Sequence, residues 1–237
     1  MLDHLEELRS ALISSFLAAL LAAVLCWFWS RPLLDLLVRP ILSASEGVYF
    51  HTPIEAFMTR LKISAICGLF IVLPFIFYKI YGFILPGLYA RERKVVTPLL
   101  ISSTALFYLG VIFAYTIVIP KVVAFMLSFG TEFMQPLIGI GAYFSFVARL
   151  SLAFGVVFEL PLVVLFLSMI GLVNPRMLLR TWRYALLLIV IFAAVLTPPD
   201  IFSQLMMAVP VMLLYLISVL IAIIVTKRQR DRERDDD

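Results

Sequence analysis

The stretch Phe83-Ile-Leu-Pro-Gly-Leu-Tyr-Ala-Arg-Glu-Arg-Lys94 separates two long apolar segments of this 237-residue chain. It ends in four consecutive charged residues, and the pair Pro86-Gly87 restricts the way in which the chain turns. A short basic loop between long apolar segments is typical of a chain that leaves a membrane and returns to it. The stretch therefore predicts a helical membrane protein, with the carboxylate of Glu92 at the membrane boundary.

The composition agrees with this prediction, because 63% of the residues are hydrophobic, 14% are charged and the mean hydropathy is +1.08. A membrane-spanning helix needs about 20 apolar residues. Six apolar segments are candidate spans: 12–29, 63–81, 95–119, 143–170, 184–196 and 204–226. The fifth has only 13 residues before two prolines, so we expect the fifth and sixth spans to form a short hairpin. The predicted fold class is an all-α polytopic membrane protein with six transmembrane helices.

The distribution of Lys and Arg predicts the orientation of these spans. With the N-terminus in the cytoplasm, the cytoplasmic side carries twelve of these residues and the outer side carries five. Both termini are therefore expected in the cytoplasm. We expect residues 1–226 to form a single six-helix membrane domain and 227–237 to form a disordered, charged cytoplasmic tail. The net charge of +4 suits anionic lipid head groups and is no evidence for nucleic acid.

Glu159 is an acidic residue inside the fourth apolar segment, in Phe154-Gly-Val-Val-Phe-Glu-Leu-Pro161. Placing an ionisable group at that depth costs at least about 2.5 kcal/mol. Arg149 is about 15 Å away along a helix and cannot pair with it directly. Two interpretations stay open: a structural hydrogen bond between helices, or a polar contact on a concave binding surface.

Glu7 lies in His4-Leu-Glu-Glu-Leu-Arg9, just before the first span, and like Glu92 it is predicted at the cytoplasmic membrane boundary. Each acid alone is consistent with a solvated helix terminus. Together, two carboxylates can form bidentate, charge-assisted hydrogen bonds to a pair of guanidinium groups. The pair therefore favours recognition of two adjacent arginines.

The stretch Thr197-Pro-Pro-Asp-Ile-Phe-Ser-Gln204 joins the fifth and sixth spans on the outer side. Asp200 is expected to cap the last helix. Thr197 and Gln204 place polar groups at the membrane edge, and a turn does not require the amide of Gln204.

Enzymatic functions find no support in the residue inventory. The only two histidines, His4 and His51, are predicted on opposite sides of the membrane. The sequence contains no HExxH metal motif, no P-loop and no Ser-His dyad that one face could assemble. We therefore predict a protein that is not an enzyme and that has no metal site and no cofactor.

Four stretches together resemble the TatC family, the polytopic subunits of the twin-arginine protein translocase, over about residues 3–226. These stretches are His4-Leu-Glu-Glu-Leu-Arg9, Phe83-x-x-Pro-Gly-Leu-Tyr-x-x-Glu-Arg93, Phe154-Gly-Val-x-Phe-Glu-x-Pro161 and Leu196-Thr-Pro-Pro-Asp-x-Phe-Ser-Gln204. The second and fourth are the most specific. The resemblance implies a glove-like, concave helix bundle in the bacterial cytoplasmic (inner) membrane.

The resemblance also implies a function, namely binding of the twin-arginine signal peptides of folded precursors at the cytoplasmic face. Export is then driven by the proton-motive force. Glu7 and Glu92 match the two signal-recognition acids of the family, with Phe83 and Arg93 in the same loop. Glu159 matches the acid within the concave face.

The implied partners are single-span subunits of the TatA and TatB type, with a homo-oligomer of the chain in a larger complex. Thr197 and Gln204 match the polar patch where these subunits dock.

Two other functions are compatible with parts of the sequence. A proton-coupled small-molecule transporter would use Glu159 as its proton carrier, but the missing internal repeats and the single deep acid argue against it. A purely structural membrane scaffold would leave Glu7 and Glu92 dispensable.

Overall fold

The computed structural model describes residues 2–42, 47–84, 93–131, 136–197 and 200–235. In these ranges the chain is almost entirely helical and forms no β-strand, apart from an isolated parallel bridge between Tyr49 and Gly139. The helices, in chain order, are α1 (Leu2–Phe28), α2 (Ser30–Leu42), α3 (Pro53–Ile84), α4 (Arg93–Phe113), a π-helical turn (Ala114–Val118), α5 (Ile119–Leu127), α6 (Ile140–Val157), α7 (Leu160–Met169), α8 (Pro175–Arg180), α9 (Trp182–Leu196) and α10 (Ile201–Asp235).

Five helical stretches are long and apolar enough to cross a membrane: Glu6–Phe28, Pro53–Phe83, Thr97–Leu127, Ile140–Met169 and Ile201–Lys227. The remaining predicted span, α9, is a shorter apolar helix of 15 residues. At 1.5 Å per residue it is about 22 Å long, which is less than the roughly 30 Å of a hydrocarbon core. The prediction of six apolar helices with a short fifth one is confirmed.

The last helix extends beyond the predicted sixth segment at both ends. Its candidate membrane span, Ile201–Lys227, contains the predicted segment 204–226. Pro210 lies inside α10 without ending it, as is tolerated where packing satisfies the freed backbone groups. The helix then continues to Asp235, where a disordered tail was expected. The helix can continue this far because each added residue forms a further backbone hydrogen bond, and because no Gly or Pro that could interrupt it follows Pro210.

The chain forms two compact units, of which the first comprises Met1–Ala105 and Met126–Ala148. In it, α1 packs along α3. The two backbones approach closely at Gly68, where an added Cβ atom would overlap the backbone of Ala22 and Ala23. Small residues at such a contact are the usual way for membrane helices to pack closely. This contact sets the register of α1 against α3.

The helix α2 follows α1 directly and lies in the chain between the first two apolar helices, α1 and α3. Its apolar face packs against a buried cluster of α3 and α6. The cluster consists of Ile63, Phe144 and Ala148, with Leu33, Leu34, Leu37, Ile66 and Cys67 around it. The hydroxyl of Tyr143 donates a hydrogen bond to the carbonyl oxygen of Leu37 at 3.0 Å, which fixes α2 to α6.

The second unit comprises Leu106–Phe125 and Arg149–Asp237, and α7, α8 and α9 pack against α10 in it. Phe113 lies 5.6 Å from Phe154 and 5.5 Å from Phe158, measured between ring centroids. The rings of Phe125 and Phe202 stack at 3.9 Å. Aromatic packing of this kind stabilises the second unit around the break between α6 and α7.

Candidate functional site

Glu7 and Phe83 line the same open cavity, which has a volume of about 300 Å³. Two of the four residues predicted to recognise signal peptides are thus brought together, although they lie on different helices. The cavity is formed by Glu7, Ser10 and Ala11 of α1 and by Tyr78, Lys79, Gly82 and Phe83 of α3.

Helix periodicity explains why these residues share one cavity. Glu7, Ser10 and Ala11 are spaced i, i+3, i+4, and such residues lie on one helix face. Tyr78 and Gly82 are also four residues apart, and so are Lys79 and Phe83. The packing of α1 along α3 places the two faces beside each other. Spacing along each helix is visible in the sequence, whereas the register between the helices is not.

The cavity carries both signs of charge. Glu7 is exposed and Lys79 is half-buried, with its ammonium nitrogen 5.3 Å from the ring centroid of Phe75. That distance is in the range of a cation–π interaction, which restrains the side chain. Ser10 and Tyr78 add hydroxyl groups. Sequence reasoning missed Lys79 and Tyr78 as site residues, because a lysine near the end of a span is commonly only an interfacial cation.

The other two predicted recognition residues are not tested by the structure. Glu92 lies outside the described residues. Arg93 is the first residue of α4, and its side chain also lies outside the described part. Their roles stay predictions.

Glu159 lies at a break between α6 and α7, where Phe158 and Glu159 form a turn. Pro161 causes the break, because it has no backbone N–H for the carbonyl oxygen of Val157 and its ring clashes there. The carbonyl oxygen of Glu159 starts α7 by accepting bonds from the N–H groups of Leu162 and Val163, both at 3.0 Å. The bent span thus carries the acid at its bend.

The carboxyl group of Glu159 is held inside the second unit. Its Oε1 atom is shielded from solvent, and within the described chain its side chain does not cap α7. Two glycines lie close by in this unit: a Cβ atom on Gly110 would overlap the backbone of Phe154, and one on Gly155 would overlap the ring of Phe107. The acid therefore lies beside a tightly packed aromatic cluster.

The outer end of the α9–α10 pair places Thr197 and Gln204 on adjacent helix ends. The hydroxyl of Thr197 donates to the carbonyl oxygen of Ala193 at 2.9 Å, and the residue is buried. The side-chain N–H of Gln204 donates to the carbonyl oxygen of Val190 at 3.0 Å. Gln204 therefore ties α10 to α9, a role that the turn sequence did not indicate.

Asp200 caps α10, as predicted. Its Oδ1 atom accepts a hydrogen bond from the backbone N–H of Ser203 at 2.6 Å. Its carbonyl oxygen accepts a bond from the N–H of Gln204 at 3.2 Å. This is the usual geometry of an N-cap aspartate.

A further acid, Glu55, connects the two outer segments of the first unit and was not singled out in the sequence. Its Oε2 atom accepts a bond from the N–H of His51 at 2.8 Å, and its Oε1 atom accepts one from the N–H of Gly141 at 3.0 Å. The N–H of Glu55 donates to the hydroxyl of Thr52 at 3.3 Å. The signal for this arrangement was the Thr52-x-x-Glu55 spacing, which is that of a capping box.

No group of three or more His, Cys, Asp or Glu side chains that could hold a metal ion occurs in the described ranges. Cys26 and Cys67 are free thiols. In the described ranges, the polar contacts are therefore made by carboxylates, hydroxyls, amides and cations.

Comparisons with known proteins agree with these features. Residues 3–210 match the family model described as "Sec-independent protein translocase protein (TatC)". A TatC protein of Koribacter versatilis is 36% identical and covers 99% of this chain and 89% of its own length. One from Carboxydothermus hydrogenoformans is 37% identical, over 98% of this chain and 96% of its own length.

The fold is also similar to a solved structure. A crystal structure titled as the twin arginine translocase receptor TatC superposes with a TM-score of 0.85 at 34% sequence identity. It covers 94% of this chain and 99% of the solved chain.

Proposed function

The chain belongs to the TatC family, and on that basis we propose that its cytoplasmic cavity binds the twin-arginine signal peptides of folded precursor proteins. The protein is a polytopic receptor subunit of the twin-arginine translocase in the bacterial inner membrane, and it is a translocase component rather than an enzyme. TatC proteins work in this translocase with TatA and TatB subunits.

One observation carries the proposal: a carboxylate, Glu7, and an aromatic ring, Phe83, line one open cavity. A guanidinium group forms bidentate hydrogen bonds with a carboxylate and stacks on an aromatic face. A cavity that offers both groups suits the side chain of one arginine.

The second arginine of the motif needs a second acid. In an extended peptide, successive side chains point to opposite sides, so two adjacent arginines do not enter one cavity together. Glu92 is expected by sequence in the loop that follows α3, and we assign the second guanidinium to it. Arg93 would then orient Glu92 or the peptide backbone.

Glu159 is proposed as a polar contact within the membrane that transport requires. Its place inside the second unit, at a bend of an apolar helix pair, supports this function, because an ionisable group within a membrane-spanning segment is costly and such residues usually serve a function.

Thr197 and Gln204 are proposed to dock a single-span subunit of the TatA or TatB type. Each uses a donor within the chain, but the amide oxygen of Gln204 and the hydroxyl oxygen of Thr197 can still accept a bond. A partner helix with a donor near its outer end would match them. Because Thr197 is buried and Gln204 is half-buried, Gln204 is the stronger contact.

Three broader predictions belong to this proposal. Residues 1–226 act as a single membrane domain with 227–237 as a charged cytoplasmic tail, and the chain works as a homo-oligomer in a larger complex. Transport is driven by the proton-motive force.

Peptide binding tests the proposal directly. The purified full chain is titrated with a twin-arginine signal peptide and with the same peptide carrying two lysines. We expect the arginine peptide to bind at least about tenfold more tightly, because lysine cannot form the bidentate contacts. Equal affinities would contradict recognition by paired carboxylates.

A further inference from the structure

The cavity of Glu7 and Phe83 contains a cation that an arginine site does not need. Lys79 lies on the same cavity wall as Phe83, and its ammonium group is restrained by the ring of Phe75. A site that selected only cations would be weakened by this charge, because like charges repel. Glu7 and Lys79 give the cavity both signs of charge, and a ligand that carries an ammonium group next to a phosphate would match both.

The cavity also lies at the depth of lipid head groups. Glu7 lies just before the first predicted apolar segment, 12–29, and Phe83 lies just after the second, 63–81. Glu7 and Phe83 are thus where the chain meets the membrane–water interface. Tyr78, which is 60% exposed, is of the type that is enriched at this level. Lipids of the same leaflet present their head groups directly to the cavity.

We propose that the cavity binds the head group of an aminophospholipid of the phosphatidylethanolamine type. Its primary ammonium group would bond to the carboxylate of Glu7, and its phosphodiester would accept bonds from Lys79. The hydroxyl groups of Ser10 and Tyr78 supply further donors for phosphate oxygens. The volume of about 300 Å³ is at the lower end of the range for small-ligand pockets.

The charge pattern distinguishes this lipid from the two common alternatives. Phosphatidylglycerol has the phosphate but no cation for Glu7. Phosphatidylcholine has both charges, but its quaternary ammonium has no N–H to donate to the carboxylate. The cavity therefore prefers a primary ammonium next to a phosphate.

The head group and a signal peptide would compete for Glu7. The guanidinium of a bound arginine would displace the lipid ammonium from the carboxylate. This competition rests on the proposed function, whereas lipid retention does not.

Native mass spectrometry of the purified full chain tests the proposal. The detergent-solubilised protein is mixed with equal amounts of dioctanoyl phosphatidylethanolamine, phosphatidylcholine and phosphatidylglycerol, and the bound lipids are counted. We expect phosphatidylethanolamine to be retained about tenfold more than either other lipid. Glu7→Gln and Lys79→Gln should each abolish this preference, and a twin-arginine peptide should release the lipid from the wild type.

Matched controls are Glu6→Gln, a neighbouring exposed acid that does not line the cavity, and Lys62→Gln, a lysine in the opposite half of α3. Both should keep the wild-type preference. Equal retention of the three lipids, or a preference that survives both cavity substitutions, would overturn the proposal. Retention of phosphatidylglycerol that depends on Lys79 alone would replace it with a simple anion site. If the lipid preference fails while peptide binding to the wild type persists, only this inference falls.

Discussion

The carboxylate of Glu55, near the start of α3, accepts a hydrogen bond from the backbone N–H of Gly141, near the start of α6, at 3.0 Å. The same carboxylate accepts a second bond from the N–H of His51 at 2.8 Å. The first N–H groups of a helix have no partner within the helix, and they attract negative charge. Glu55 therefore supplies the start of α6 with a cap from another part of the first unit.

Replacing Glu55 tests this cap. Glu55→Ala removes both acceptors, and we expect a clear fall in the thermal unfolding midpoint of the detergent-solubilised protein. Glu55→Gln keeps one acceptor without the charge and should lie between Ala and wild type. Asp35→Asn, at an exposed acid of α2, is the control and should leave the midpoint unchanged. An unchanged midpoint in Glu55→Ala would show that the cap is not needed for stability.

Two glycines of α3 should respond differently to substitution by alanine. Gly68→Ala forces a methyl group into the backbone of α1, and overpacking of this kind costs about 1–3 kcal/mol. Among the described residues, no atom beyond the adjacent residues and the nearby backbone of α3 lies within 4 Å of a methyl group added at Gly82. Gly82→Ala should be neutral or slightly stabilising, because alanine favours helix over glycine by roughly 0.5–1 kcal/mol. Thermal unfolding of the two variants measures the difference, and equal midpoints would contradict close packing at Gly68.

Glu159 can be tested by separating transport from folding. Glu159→Leu removes both charge and hydrogen bonding, whereas Glu159→Gln keeps the hydrogen bonding. We expect the Leu variant to fold and to bind signal peptide but to export poorly, with the Gln variant less affected. Export by membrane vesicles, normalised to the amount of folded protein, is the measurement. Wild-type export by the Leu variant would exclude a functional role.

Partner docking at the α9–α10 end is tested by crosslinking. In a chain with Cys26 and Cys67 replaced by serine, we expect the cysteines of Thr197→Cys and Gln204→Cys to crosslink to the N-terminal part of a single-span partner. Gln204→Leu should weaken the association without abolishing it, since hydrogen bonds between membrane helices contribute only about 0.6–2 kcal/mol. Crosslinks from the first or third span alone would place the partner elsewhere.

The sequence predicted the helices well, because apolar segments of membrane length leave few alternatives. The short length of α9 was predicted from the 13-residue apolar segment 184–196 and the two prolines that follow it. The sixth segment, 204–226, was expected to pass through Pro210, and α10 does so. The charged continuation to Asp235 was missed, since composition alone favoured disorder.

The candidate site was predicted in part. The acids Glu7 and Glu159 are conspicuous because charges are rare in so apolar a chain. Lys79 and Tyr78 were overlooked, since their place in the cavity depends on how α1 and α3 align. That alignment rests on the contact between Gly68 and Ala23, which no periodicity in either helix specifies.

A double-mutant cycle between Glu7 and the arginines of the signal peptide tests the central claim most directly. Peptides with the first, the second or neither arginine replaced by glutamine are titrated against wild type, Glu7→Gln and the control Glu6→Gln. If Glu7 binds one guanidinium, Glu7→Gln should lower the affinity for the peptide with both arginines by about tenfold. One of the two single peptide substitutions should then cause no further loss in that variant. Strictly additive losses for both arginines, or equal effects of Glu6→Gln and Glu7→Gln, would contradict the account.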